Sequence, residues 1–526
     1  MQIWPGPHLH RTHELPPPVP PIMSTRVPDE ADFSALSRAQ RQELMYLVAS
    51  VAKRMRRALR LATSVEIPQQ SSDKRISTCL YHPAMRNFDA WCNEVIIRVG
   101  AVLQVPVVND AAERLVTIPN DVTDPFLYVH YPPIATTLTQ FGNPEIIVEL
   151  LLLLLFSLKS YDARSRVLLL HVASSLNVPL NTLLDLEAKT AKTLLQRGEA
   201  SRSANIWKIG LVSVAGAVLI GVTGGLATPV VAAEIGSLMG AVGLGAVAGY
   251  LGVAGSSTII SALFGAYGGR MGGRVMARYT NFKFIPVEQS CEPRLRVGVG
   301  ITGWVVDGEK EMVDPWRSVG GGLEAYALRW ELDALTDLGT SLSEILTSTA
   351  MGWVIDNPFS IAMHRADKSG LVLADVIINK AQGNRPISLV GYSLGARVIY
   401  SCLRSLAERG AYGMVENVVL MGAPVPADVV QWREIRAVVA GRVVNVFSEQ
   451  DYVLAFLYRT GSVQLGVAGL QRIELEGVED VDEGKLVSGH LMYRHAVGMI
   501  LKDLWVGDVV MEVVEKEEIT LKDLVE

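Results

Sequence analysis

The sequence predicts an α/β domain with a mostly parallel sheet over residues 290–510, preceded by an all-α domain over 36–205 and an apolar helical hairpin over 206–270. Three observations carry this reading. After Arg270, short apolar runs alternate with helical segments, the alternation that builds a sheet flanked by helices. Between Ser37 and Leu176, apolar residues recur at helical spacing. From Ile209 to Ala233, and again from Ile235 to Gly269, no residue is charged, and each stretch exceeds the ~20 residues needed to cross hydrocarbon.

Residues 1–35 run through Pro5, Pro7, Pro16 to Pro18, Pro20 and Pro21, which predicts a disordered or polyproline II segment and no cleaved signal. From Ser37 to Thr63, Leu44, Leu47, Val48, Val51, Met55 and Leu59 form one helical stripe, and Lys53, Arg54, Arg56, Arg57 and Arg60 load the rest. A helix packed on its neighbours with a solvated basic face is expected there, in preference to one lying on an anionic membrane. A second helix starts at Asn143-Pro144, a cap residue followed by Pro at the first helical position, and runs to Leu158. Its leucines, Leu150 to Leu155, are bracketed by Glu149 and Lys159, too short a run to span a bilayer, so a buried helix is expected. Arg166 to Leu176 also reads as helix.

In the uncharged region small residues recur four apart, at Gly221 and Gly225, Gly236 and Gly240, Gly245 and Gly249, and Gly265 and Gly269, which permits close helix approach in lipid. Thr228-Pro229 reads as the break, with Glu234 near the turn. Arg197, Arg202 and Lys208 precede the region and Arg270, Arg274 and Arg278 follow it, so both ends are expected to face the cytosol. Two spans fit, one in Ile209 to Ala227 and one within Ile235 to Ile260. Glycine-rich helices buried in a large soluble domain are the alternative. The whole chain of 526 residues is 49% hydrophobic, with a mean hydropathy of +0.27. Its net charge of −6 offers no basic field for nucleic acid. Cys79, Cys92, Cys291 and Cys402 are scattered without a C-x-x-C pair, which argues against a disulfide framework or structural zinc and suits a reducing compartment.

Strands are expected at Leu295 to Val299, Glu324 to Trp330, Ile387 to Val390, Val418 to Met421, Val443 to Phe447 and Gln471 to Leu475. Helices are expected between them at Ser341 to Ala350, Gly370 to Lys380 and Ala396 to Ala407, with a last one at Leu491 to Leu501 and an acidic tail over 511–526. The informative stretch runs from Pro386 to Tyr400, where a β-type run meets Gly391-Tyr392-Ser393-Leu394-Gly395 and then a helical pattern. A bare G-x-S-x-G is weak, but between a strand and a helix it is the nucleophile elbow of an α/β-hydrolase fold. Gly391 and Gly395 remove side chains that would collide in so tight a turn, and the Leu394 N–H at the helix start suits a developing oxyanion.

A serine nucleophile needs a base and the base an orienting carboxylate, in the chain order Ser, Asp, His. Asp451 follows the apolar run Val443 to Phe447, with Glu449 and Asp428 as weaker alternatives. His490 follows Gly489 in a polar loop, and His495, inside the last helical pattern, is its competitor. Gly298-Val299-Gly300-Ile301-Thr302-Gly303 fits the dinucleotide fingerprint, but no helical pattern follows. The stretch is read instead as the loop carrying a second oxyanion donor, Gly303 or Trp304.

Together these features resemble the eukaryotic transmembrane and coiled-coil domain-containing family, domain of unknown function 726. The resemblance rests on Gly298 to Trp304, Leu389 to Arg397, Met421-Gly422-Ala423-Pro424, the Asp451 loop, Gly489-His490 and the glycine-rich apolar region, and covers residues 140 to 505. It implies an α/β-hydrolase-like domain with membrane segments and triad roles for Ser393, Asp451 and His490. The expected activity is a membrane-associated serine hydrolase, lipase-like, that cleaves an ester of a lipid or other apolar acyl group, on an intracellular membrane with its site facing the cytosol. No cofactor or metal is expected. The alternative is a hydrolase-fold membrane adaptor or trafficking protein without turnover.

Overall fold

The computed structural model describes residues 36–64, 74–108, 123–158, 160–209, 263–264, 282–288, 294–320, 322–347, 356–461, 466–487, 489–504 and 509–525. The Pro-rich segment 1–35 lies outside them, as does the expected hairpin over 206–270 apart from the helical residues 206–209 and the buried pair Leu263 and Phe264. Among the described residues no helix is long and apolar enough to cross a membrane.

The N-terminal helices follow from local signals. Helix α1 (Arg38–Thr63) opens on a capping box, with the Ser37 hydroxyl accepting from the Gln40 N–H and the Ser37 N–H donating to the Gln40 side chain. Its apolar stripe, Leu44 to Met55, is buried against α2 (Lys74–Leu103) and α5 (Ala163–Ser175), and Arg56 on the outer face pairs with Asp89 at 2.6 Å. Helix α3 (Pro125–His130) starts at an Asp124 cap with Pro at its first position, and α4 (Pro144–Phe156) also begins on proline. The α4 leucines at 150, 151, 152, 154 and 155 are buried in protein, where each contributes about 1.5–3 kcal/mol of transfer free energy. Helix α6 (Leu180–Ile209) completes the layer.

The C-terminal half forms a seven-stranded sheet of β1 (Phe282–Pro286), β2 (Val297–Ile301), β3 (Glu324–Trp330), β4 (Ile387–Tyr392), β5 (Val415–Met421), β6 (Val443–Phe447) and β7 (Val478–Asp482), in the order β1-β3-β2-β4-β5-β6-β7. Only β1 is antiparallel, pairing with β3. The central strands β2, β4, β5 and β6 are buried along their whole length, as parallel strands covered on both faces must be, which explains their near-continuous apolar sequence. Helices α7 (Leu332–Thr347), α8 (Asp356–Ile378), α9 (Leu394–Glu408) and α10 (Val429–Val438) pack in succession. Helix α11 (Tyr452–Gly461) follows β6, and α12 (Tyr493–Leu504) packs on α13 (Met511–Val525) and the turn Asp314–Ser318.

The strand order reverses between β2 and β4: from β2 the chain steps to β3 on one side, then crosses to β4 and continues through β5, β6 and β7 on the other. Open α/β sheets bind ligands at the carboxyl ends of the strands beside such a switch point. Ser393 stands there, immediately after β4.

Three sequence expectations need correction. Gln471 to Leu475 is not a strand, because the Asp480 carboxylate accepts the Ile473 and Glu474 N–H groups and Glu474 sits at φ +55, which curls the chain before β7. The strand is Val478–Asp482, an edge strand whose three carboxylates mask its period. Strand β1 was not foreseen. The acidic tail folds as α13, burying Val514 and Leu521 against the sheet domain.

The helical layer seats on the amino-terminal edge of the sheet. Tyr161 and Ala163 donate to the carbonyls of Asn384 and Gly413, which precede β4 and β5. Beside them lies a buried ion cluster in which Arg166 of α5 pairs with Glu187 of α6 and Glu416 of β5, and Arg296 takes both oxygens of Glu416 at 3.0 and 3.1 Å. Two guanidinium groups face two carboxylates, so the cluster is neutral and its members satisfy one another, the condition under which buried charge is tolerated.

Candidate active site

The turn after β4 is tight for reasons visible at three glycines. A Cβ on Gly391 would lie 2.8 Å from the Gly395 carbonyl carbon, and one on Gly395 would lie 1.9 Å from the Ile301 carbonyl oxygen. A Cβ on Gly303 would lie 2.3 Å from the Tyr392 oxygen, 2.6 Å from the Ser393 Cβ and 2.7 Å from the Leu394 nitrogen. The loop after β2 and the start of α9 therefore touch backbone to backbone. Ser393 between them has φ +54 and ψ −128, a conformation that a non-glycine residue holds only when its surroundings impose it. Its N–H donates to the Met421 carbonyl of β5 and its carbonyl accepts from Arg397, which fixes both ends of the turn.

The turn aims the Ser393 hydroxyl at His490. Ser393 Oγ lies 2.7 Å from His490 Nε2, and His490 Nδ1 lies 2.6 Å from Asp451 Oδ2. Asp451 accepts only at oxygen, so the arrangement requires the proton on Nδ1, which leaves Nε2 free to accept the serine proton. Asp451 is fully buried, and its second oxygen accepts the Leu454 N–H at 2.9 Å, which fixes the carboxylate at the start of α11. His490 opens a 3₁₀ turn, His490–Met492, that leads into α12. The Tyr493 ring stands edge-on to the imidazole with centroids 6.0 Å apart, and burial together with Asp451 holds its phenol well above the usual range, hence neutral.

The weaker alternatives are elsewhere. Glu449 is exposed, and Asp428 caps α10 by accepting from the Val430 N–H. His495 is half-buried on α12, and burial followed by the Arg494 charge lowers its pKa. The glycine-rich run Gly298 to Gly303, most of it within β2, is no phosphate cradle. No helix starts at Gly303, and the ring of Trp316 lies where a Gly300 side chain would be.

The loop bearing Gly303 and Trp304 is fastened in ways the sequence did not disclose. Thr302 is its hub: its hydroxyl accepts from the Trp316 indole and donates to the Met312 carbonyl, and its own carbonyl accepts from the Trp330 indole. Farther along, Glu311 accepts the Val306 and Asp307 N–H groups and pairs at 2.9 Å with Arg494, whose guanidinium lies 4.8 Å above the Trp304 ring. Burial pushes the Glu311 carboxyl up, but its bonds to Arg494 and the two backbone N–H groups outweigh it and hold the group below its ordinary value. Arg494 lies four residues after His490, so the two halves of the site are tied through one ion pair. Glu311 and Arg494 are 183 residues apart, and no local signal links them.

Among the described residues no group of His, Cys, Asp and Glu side chains could hold a metal ion. The arrangement can transfer the Ser393 proton to His490 while the serine oxygen attacks an electrophilic carbon, with the imidazolium stabilised by Asp451.

The family described as protein of unknown function (DUF726) matches residues 201–355 and 349–507. An uncharacterized membrane protein of Schizosaccharomyces pombe is 37% identical, covering 79% of this chain and 78% of its own. A transmembrane and coiled-coil domain-containing protein of Oryza sativa is 35% identical over 66% of this chain and 61% of its own, and a probable lipase of Saccharomyces cerevisiae is 31% identical over 71% and 39%. This chain thus spans less than two thirds of the rice and budding-yeast relatives. No solved structure matches it.

Proposed function

The chain belongs to the family of proteins of unknown function DUF726, and within it we propose a serine hydrolase of the α/β-hydrolase fold that cleaves an ester of a lipid or other apolar acyl group at a membrane. The observation that carries this reading is the continuous chain Ser393 Oγ, His490, Asp451, joined at 2.7 and 2.6 Å on a strained, glycine-packed turn. In this mechanism His490 takes the Ser393 proton as Oγ attacks the ester carbonyl, then gives it to the leaving alcohol. Water, deprotonated by the same imidazole, frees the acyl group. Asp451 orients the ring and stabilises its charged form. The Leu394 N–H at the head of α9 and a backbone N–H of Gly303 or Trp304 stabilise the oxyanion. The chemistry needs no cofactor.

The lipid preference and the membrane setting rest on the relatives' names, among them a probable lipase and membrane proteins, and on the uncharged stretches 209–233 and 235–269. Two spans there, with basic flanks on both sides, put the site in the cytosol on the face of an intracellular membrane. Resistance of the protein to alkaline extraction is the expected result for that part.

The test of the chemistry is labelling by a fluorophosphonate probe. Wild type reacts and Ser393→Ala does not; His490→Ala lowers ester hydrolysis by about 10⁴ or more, while His495→Ala changes it little. Equal labelling of wild type and Ser393→Ala overturns the nucleophile. A folded wild type that never labels points instead to an adaptor that keeps the fold without turnover.

A further inference from the structure

At the edge of the sheet opposite Ser393, the helical layer leaves a cavity of about 370 Å³, in the size range of small-molecule sites. Helices α1, α3 and α5 line one side, and the segments leading into β6 and β7 line the other. Four guanidinium groups, Arg54, Arg164, Arg436 and Arg442, face it with one carboxylate, Glu479. Arg442 occupies both oxygens of Glu479, at 2.8 and 2.6 Å, and Arg164 is held by Asp162 at 2.7 Å. Arg54 donates to the carbonyls of Pro132 and Pro133.

Arg436 differs from these. It is 9% exposed, donates to the Val439 carbonyl through Nη1, and has no acceptor at Nε; no carboxylate pairs with it among the described residues. Burial pushes its pKa down to about 10 against the opposing charge of Glu479, which lies nearby without pairing with it, so it stays charged at neutral pH. His171, 8% exposed, lines the same cavity with no partner at Nδ1. Burial and then the Arg54 charge push its pKa down to about 3 against a hydrogen bond to Pro132, so the ring is neutral. A neutral imidazole carries one N–H and one lone pair, so the unpartnered Nδ1 can pair with a ligand hydroxyl, which both donates and accepts.

A buried cation whose neighbouring carboxylate, Glu479, is already taken by Arg442, and a buried ring nitrogen without a partner, are each costly, and such groups call for a ligand. We propose that this cavity is an anion site for a phosphate monoester with a hydroxyl, in which Arg436 binds the phosphate and His171 hydrogen-bonds the hydroxyl. Because Arg436 is on α10 and His171 on α5, the ligand would clamp the helical layer to the sheet. The proposal does not depend on the hydrolase reading, since the two sites lie at opposite ends of the strands.

The phosphate could come from a soluble metabolite or a lipid headgroup. The test uses the detergent-solubilised full chain, with Tm followed against inorganic phosphate, glycerol 3-phosphate and octanoyl lysophosphatidic acid, which keeps a free hydroxyl, at an ionic strength held constant with sodium chloride. A saturable rise in Tm is expected in wild type. Arg436→Gln should weaken the apparent affinity roughly thirty-fold or more, the usual consequence of removing one partner from a buried charged contact, with Ser393 labelling unchanged. His171→Leu should weaken glycerol 3-phosphate more than inorganic phosphate, and it serves also if Arg436→Gln does not fold. A response to lysophosphatidic acid alone assigns the lipid source; a response to the water-soluble ligands assigns the metabolite. No rise beyond that in chloride, or wild-type affinity in both variants, overturns the proposal.

Discussion

Replacing Gly303 by alanine tests whether the loop after β2 belongs to the reacting site. The new Cβ would stand 2.3 Å from the Tyr392 oxygen and 2.7 Å from the Leu394 nitrogen, where ordinary contact begins near 3.4 Å. All three of its close neighbours are on the elbow itself, two in the backbone and one the Ser393 Cβ, so no flexible side chain can swing away. The loop must retreat by about 1 Å, and a displacement of that size at a reacting centre costs on the order of 10²-fold in rate, similar to losing one oxyanion donor. Gly489, the glycine beside the base, is the control. It has extended backbone, and a Cβ there meets nothing within 4 Å, so Gly489→Ala should leave activity within a few-fold of wild type. The assay is kcat/KM on a p-nitrophenyl acyl ester, with the rate of fluorophosphonate labelling as a second readout. Wild-type turnover in Gly303→Ala, or equal losses in both variants, would refute the reasoning.

Ser393→Gly should abolish labelling yet raise stability by about 1 kcal/mol in chemical denaturation, because relief of a backbone at φ +54 exceeds the entropy glycine adds to the unfolded chain. A less stable variant would mean that the turn is not strained. Glu416→Gln should cost roughly 3–5 kcal/mol, since it strips the shared counter-ion from buried Arg166 and Arg296; a loss under 1 kcal/mol would show that the cluster does not hold the layers together. Glu517 accepts the Gly498 N–H at 2.7 Å, and burial, opposed by its backbone hydrogen bonds, pushes its pKa up to about 7. A raised carboxyl pKa stabilises the folded state below the unfolded value, near 4.5, and that contribution is lost as pH rises through about 7. Hydrogen exchange over Met511–Val525 should therefore report a looser α13 at pH 8 than at pH 5.5 after correction for intrinsic rates. Glu517→Gln should flatten that difference, and an unchanged difference would exclude this group.

What could be read from the sequence was local. Gly391-x-Ser393-x-Gly395 lies between a strand and a helix within fifteen residues, and chain order narrowed the partners to loops holding Asp451 and His490, the residues that the structure joins by hydrogen bonds. Strand β7 escaped because an edge strand needs only one buried face and this one carries Glu479, Asp480 and Asp482. Helix α13 read as an acidic tail because Glu515, Glu517 and Glu518 dominate its middle, although Val514 and Leu521 are spaced to share a face and are both buried. The Arg494 and Glu311 pair, and the cavity around Arg436, join segments far apart in the chain. Only the fold brings them together.

The distribution of local cost favours turnover over an adaptor role. At Ser393 the backbone is strained, three glycines give up side-chain packing so that two turns can touch, and a carboxylate at Asp451 is buried with, among the described residues, an imidazole and one backbone N–H as partners. Each of these opposes stability, the strain alone by about 1–3 kcal/mol. The buried ion cluster at the other edge of the sheet is different in kind, because Arg166, Arg296, Glu187 and Glu416 compensate one another and join two layers. A fold that served only as a scaffold could place alanine or glycine at 393 and an apolar residue at 451 with no loss of packing between layers. Strain that stabilises nothing around it, concentrated on one serine and aimed at one imidazole, is what a nucleophile requires and what a docking surface does not.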